Sequence, residues 1–185
     1  MVSVKDKLTL QEFMALPEGD ITCELVDGEA IPKMSPKFFH STLTGAFFVL
    51  LSQWSQNRGR VGIEWSVTLT RRGRDWVPVP DLLYVSYSRL AADWMQNEAC
   101  PVPPELAIEI ISPEQTFGEM NEKATDYLNA GVSRVWVVDP RAKSITIFYP
   151  DAPPQTKRGE AALTDSLFEG LQLTPQQVFQ QAGIP

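Results

Sequence analysis

Glu109 stands as the lone acid in Leu106–Ile111, a run otherwise apolar and partly β-branched. Such a run reads as a strand covered on both faces. A carboxylate there must be protonated, paired or bound to a cation, because burying it bare is too costly. Asp81 follows Val77-Pro-Val-Pro80 and opens the apolar stretch Leu82–Val85. The prolines confine their segment to an extended entrance, so Asp81 marks the start of a strand. Lys123 falls on the helical pattern that follows Glu109. Two carboxylates converging from adjacent strands form a hard-oxygen site suited to Mg²⁺ or Mn²⁺. An ammonium beside them can activate a water and stabilise a pentacovalent phosphate. A structural account stays open for each: Glu109 near a sheet edge or paired with a structural Arg or Lys, and Lys123 in an i, i+4 surface pair with Glu119.

Other polar residues carry weaker signals. Glu24 lies between Cys23 and Leu25 on a short strand, a pattern that reads as solvent-facing. The single histidine, His40, sits in the first turn of a helix, where a surface or capping role competes with a functional one. Arg71-Arg-Gly-Arg74 forms the densest positive cluster. Asp139-Pro140 reads as an Asx-type turn.

The elements that must position these residues follow from periodicity. Thr9 to Glu12 is a capping box opening a short helix before Pro17. Asp27-Gly28 joins Ile21–Val26 to Glu29–Met34 as a β-hairpin. A helix over 38–56 carries Leu43, Phe47, Leu50, Leu51 and Trp54 on one broad stripe, and Asn57-Arg-Gly59 closes it. Strands are predicted at 63–70, 81–85, 105–111, 135–139 and 144–149. Alternation places Leu106, Ile108 and Ile110 on one face of the third, and Ala107, Glu109 and Ile111 on the other. A second capping box, Thr116 to Glu119, opens a helix over 117–130 with Met120, Ala124 and Leu128 as its core stripe. A short helix is expected at 89–96, a polar connection at 151–160, weak strand character at 163–173 and a final helix from Pro175. The expected fold is α/β (α+β), a central mixed β-sheet flanked by the two longer helices.

The 185 residues suffice for one domain, 1–185, with a substantial core. The charge of −7 gives no global sign of a nucleic-acid binder, so such a role needs a local basic patch. Two distant cysteines and one histidine exclude a zinc site and fit reduced thiols in the cytoplasm. No apolar run approaches a membrane span.

The blocks Glu24-Leu-Val-Asp-Gly-Glu29, Met34-Ser-Pro36 with His40, Val79-Pro-Asp-Leu-Leu-Tyr-Val85, Glu105–Pro113 and Glu122-Lys123 to Pro140 closely resemble the Uma2 family, a branch of the PD-(D/E)XK nuclease superfamily. The resemblance implies a restriction-endonuclease-like core and metal-dependent cleavage of DNA. Asp81 would be the PD acid and Glu109 the acidic residue of (D/E)XK, with the Ile110 carbonyl completing the Mg²⁺ or Mn²⁺ shell. The superfamily's usual lysine position holds Ile111, and Lys123 looks like the migrated lysine. Glu24 is similar to the accessory acid, while His40 and Tyr127 match typical family positions. The resemblance, with five Trp in a small sheet protein, also leads us to expect a homodimer. The alternative is an inactive member that keeps the fold for dimerisation or partner binding.

Overall fold

Leu106–Ile110 forms a strand in which every residue is buried, as its apolar run requires. It lies inside a six-stranded sheet in a computed structural model that describes residues 7–17, 19 and 21–185. In chain order the elements are α1 (Leu10–Met14), β1 (Cys23–Val26), β2 (Glu29–Pro32), α2 (Phe38–Trp54), β3 (Gly59–Ile63), β4 (Leu69–Arg71) and β5 (Arg74–Trp76). They continue with β6 (Leu82–Ser86), β7 (Leu106–Ile110), α3 (Phe117–Asn129), β8 (Arg134–Asp139), β9 (Ser144–Phe148), β10 (Gln155–Arg158) and α4 (Pro175–Gln181).

The large sheet runs β10-β9-β8-β7-β6-β3. Among the described strands of this sheet only β7 and β8 pair in parallel, joined by the α3 crossover, so the sheet is mixed as expected. Alternation along the central strands divides the core in two. Leu82, Tyr84, Leu106, Ile108, Ile110, Trp136 and Val138 pack with α2 and α4. Leu83, Val85, Ala107, Val135 and Val137 pack with Met120, Ala124 and Tyr127 of α3. The faces predicted for the Glu109 strand are therefore the faces observed. Trp136 anchors the α2 side, with Phe47 and Phe168 rings at 6.3 and 6.0 Å. Each large side chain fully buried this way contributes about 1.5–3 kcal/mol.

Several boundaries differ from expectation. The strand predicted over 63–70 is not continuous. The chain pairs with β6 from Gly59 to Ile63, then turns away at Glu64, whose φ is +46°. Gly59 is thus a strand residue rather than part of the closing turn, and α2 already ends at Trp54. A Cβ at Gly59 would lie 2.3 Å from the Val85 carbonyl oxygen, so the pairing accepts only glycine. The alternating apolar residues after Glu64 are buried away from the large sheet. Val67 bridges to Cys100, and Leu69–Arg71 pairs with Arg74–Trp76 in a separate hairpin.

The helix expected at 89–96 is absent; those residues form turns whose carbonyls at Leu90, Ala91, Ala92 and Trp94 accept from the Arg60 guanidinium. Gln155–Arg158, read as a polar connection, pairs with β9 as the sheet's polar edge strand. Residues 163–173 form no strand; a 3₁₀ turn at Ser166–Phe168 separates Leu163 and Leu173, which share one backbone hydrogen bond. The first hairpin forms as expected, with Asp27 and Gly28 both at positive φ.

Both predicted capping boxes, at Thr9 and Thr116, are present. The second fixes the start of α3, two turns before Lys123. Thr116→Ala should therefore cost about 1 kcal/mol of stability. Urea unfolding will measure it, and an unchanged midpoint would show that the box does not hold the helix.

Candidate active site

Extending the β6–β7 register one pair beyond Leu82 and Ile108 sets Asp81 opposite Glu109. Glu109 faces α3, whereas Asp81, at the mouth of β6, is met by Lys33 and by His40 of α2, and the two charges still act on each other. The sheet thus brings together two acids that are far apart in sequence, and both are buried, at 2% and 5% exposure.

Asp81 sits just before β6, where the first turn of α2 also reaches. Its Oδ1 accepts from the Lys33 ammonium at 2.7 Å. Its Oδ2 accepts from the Ile110 backbone N–H at 2.7 Å and lies 2.9 Å from His40 Nε2. Burial opposes ionisation, but the His40 hydrogen bond and the Lys33 charge outweigh it and hold the carboxyl at about 2.

Glu109 sits under α3. Its Oε1 accepts from the Tyr127 hydroxyl at 2.8 Å and lies 3.0 Å from Lys123 Nζ. Lys123 and Tyr127, four residues apart, share one helix face, so one helix supplies both partners. Burial pushes the Glu109 carboxyl upward, and the negative charges of Asp81 and Glu24 add to it against the pull of Lys123. The two acids therefore differ: Asp81 is held ionised, whereas Glu109 resists charge. Burial also works against the Lys123 ammonium, yet Glu109 and Glu24 together raise its pKa above the ordinary lysine value.

Glu24 is not a solvent-facing bystander. One carboxylate oxygen accepts from Lys123 at 2.9 Å and from the Val79 N–H at 2.9 Å, tying the first hairpin to the approach of β6. His40 is buried rather than a surface cap. Lys123 makes no surface pair with Glu119, whose carboxylate is spent on the Thr116 cap. Arg71 is also committed, to Asp126 at 2.6 Å and Asp27 at 3.2 Å; Arg72 and Arg74 are the exposed cations of that hairpin, Arg72 reaching Asp126 only at 3.7 Å. Asp139 forms the expected Asx turn, accepting from the N–H groups of Arg141 and Ala142.

Glu24, His40, Asp81, Glu109 and Lys123 thus converge, and the backbone of Ile110 joins them. The sequence reading missed Lys33, which lies 48 positions from Asp81 and just past a hairpin strand. Neither its spacing nor its neighbours distinguish it from any exposed lysine. Its ammonium also lies 3.4 Å from Glu64 and feels the charge of Glu109.

The donor set fits a small hard cation. Asp81 already draws a cation, the Lys33 ammonium, between itself and Glu64. Among the described residues no group of three or more His, Cys, Asp or Glu side chains converges as a metal cage. Mg²⁺ does not need one, since it is usually held by one or two carboxylates and keeps waters or phosphate oxygens on its other positions.

Residues 10–176 match the model of the Uma2 family, described as "Putative restriction endonuclease". No curated protein sequence matches the chain. The crystal structure of a putative nuclease belonging to DUF820, from Anabaena variabilis, superposes with a TM-score of 0.83 at 23% identity. The match covers 95% of this chain and 99% of the other, and it shows a shared fold.

Replacing Asp81 with Ala leaves Lys33, His40 and the Ile110 N–H without their acceptor. The cost should be about 3–5 kcal/mol at neutral pH. Because the folded-state pKa of Asp81 is depressed from 3.8 to about 2, its stabilisation is complete above 3.8 and is lost as pH falls toward 2. The stability gap between wild type and Asp81→Ala should therefore narrow across that window in urea titrations. A gap independent of pH there would show that ionised Asp81 does not carry it.

Proposed function

The chain belongs to the Uma2 family, and from that premise we propose that it is a Mg²⁺- or Mn²⁺-dependent endonuclease that hydrolyses DNA phosphodiester bonds. The observation that carries this reading is the opposition of Asp81 and Glu109 on adjacent strands, with Lys123 3.0 Å from Glu109.

Asp81, Glu109 and the Ile110 carbonyl are the oxygen donors that would hold the cation. When bound, it supplies Lewis-acid polarisation of the phosphoryl group and a water of lowered pKa. His40 and the Ile110 N–H fix the Asp81 carboxylate, and Tyr127 does the same for Glu109. Lys123, kept protonated by Glu24 and Glu109, offers a positive charge beside the position where phosphate charge develops. Lys33, the counter-ion of Asp81 and Glu64, would give way to a bound cation. Arg72 and Arg74 supply local attraction for the phosphate backbone in a chain of charge −7, so binding weakens steeply with salt. The free thiols of Cys23 and Cys100 support a cytoplasmic setting. Among the described residues, no helix is long and apolar enough to cross a membrane.

Asp81→Ala, Glu109→Ala and Lys123→Ala should each lower Mg²⁺-dependent cleavage of DNA by about 100-fold or more. Calorimetry with Mn²⁺ separates the donors from the counter-ion. Glu109→Gln should lose binding, whereas Lys33→Met should bind about tenfold tighter as about 1.4 kcal/mol of repulsion is removed. Wild type cleaving no DNA faster than the triple variant, with either metal, would overturn the enzyme reading. Weaker Mn²⁺ binding by Lys33→Met would overturn the counter-ion role.

The same reading includes a homodimer, supported by exposed Phe48 and Val49 on α2 and Ile63 at the end of the edge strand β3. Light scattering should give twice the chain mass at tens of micromolar, and a monomer there would count against association.

A further inference from the structure

A cavity of about 560 Å³ opens beside the carboxylate pair, within the range of about 300–1,000 Å³ typical of sites that enclose small molecules. Its walls include Lys37, Phe38, Phe39, His40, Phe117 and Arg141. His40 belongs to both places: it binds Asp81 through Nε2 and lines the cavity, and its buried Nδ1 has no hydrogen-bond partner. Ile111, one residue beyond the proposed carbonyl donor Ile110, continues the wall. The cavity therefore adjoins the centre through His40 and Ile111.

Three phenylalanine rings stay uncovered there: Phe38 is 71% exposed, Phe39 52% and Phe117 44%. Aromatic rings left open on a soluble protein mark a surface that meets a partner. Basic and polar groups accompany them. Lys37 and Arg141 contribute positive charge, and the start of the 17-residue α2 has no side-chain cap on its N–H groups. Asp139 is the acidic residue on the wall, and its Oδ1 is occupied by the Arg141 and Ala142 N–H groups. Open rings flanked by cations and free backbone donors match a nucleobase carrying its phosphate.

We propose that this cavity receives an unstacked base next to the scissile phosphate, so that the substrate class is single-stranded nucleic acid, or duplex with an unpaired nucleotide at the cut. The inference rests on the nuclease reading for the scissile phosphate, but the base site itself is defined by the cavity. A paired duplex keeps its bases stacked and would leave the rings unfilled. Removing a base from the stack costs a few kcal/mol, a cost that is absent in a single strand.

Fluorescence anisotropy in EDTA tests this without turnover, using labelled oligothymidylate and a duplex of equal length. The single strand should bind wild type about tenfold tighter or better. Stacking on an aromatic ring is worth about 1–3 kcal/mol per base, so losing one ring should weaken single-strand binding about fivefold or more. Phe38→Leu and Phe117→Leu keep apolar bulk while removing the ring, and each should show that loss with duplex binding unchanged. Phe38 is mostly exposed, so its variant does not threaten the fold. Equal affinity for the two probes, or wild-type single-strand binding by both variants, would overturn the proposal. So would a change from dimer to monomer in Phe38→Leu with unchanged binding of either probe, which would assign the rings to self-association. Cleavage of duplex DNA without single-strand preference would sink this inference and keep the nuclease. Ring-dependent single-strand binding without cleavage would do the reverse.

Discussion

Ionised or ionisable carboxylates buried on a central sheet are the constraint around which this protein is built. A carboxylate removed from water costs several kcal/mol unless cations and hydrogen bonds replace its hydration. Asp81 and Glu109 impose that requirement twice, at adjacent positions, where each also repels the other. The surrounding elements can be understood as sources of compensation. The first hairpin supplies Glu24 and, just beyond it, Lys33. The start of α2 supplies His40, β7 supplies the Ile110 N–H, and α3 supplies Lys123 and Tyr127.

That compensation is deliberately uneven in its effect. Asp81 receives three donors and stays ionised, while Glu109 receives Lys123 and Tyr127 yet is still pushed toward its neutral form. Replacing the whole cluster with apolar side chains of similar volume would suit stability as well or better. A charged centre of this kind is therefore a cost to folding, and it makes chemical sense where an incoming cation or phosphate completes the charge balance. The large two-sided core carries that cost. It also explains why the polar site lies at one end of the strands, where α2, α3 and the hairpins can all reach it.

Much of this was legible in residue patterns. The capping boxes, the Asp27-Gly28 turn, the two helices and the central strands are local signals, and each appears within a few residues of its predicted bounds. Glu109 was legible because an acid inside an apolar strand violates the local rule. Asp81 and Lys123 were legible chiefly through their order around it and through the family resemblance. The misread segments share a cause. The alternation after Glu64 is real, but Val67 and Leu69 satisfy it against Cys100 and a small hairpin rather than against β6. At 89–96, the Arg60 guanidinium outcompetes helical hydrogen bonding for the carbonyls. Polar Gln155–Arg158 forms a strand because an edge needs no apolar face.

The sequence by itself determined which segments are buried, where helices begin and which acid is anomalous, because these depend on periodicity and on neighbours a few residues away. Only the tertiary structure decided the partners of that acid. Lys33 and Asp81 are 48 positions apart, and Lys123 and Glu24 are 99 apart. A lysine on a surface and a lysine against two buried carboxylates are the same letter with the same local context. What distinguishes them is the charge and dielectric around the ammonium, and that environment exists only once the hairpin, the sheet and the helix have been brought together.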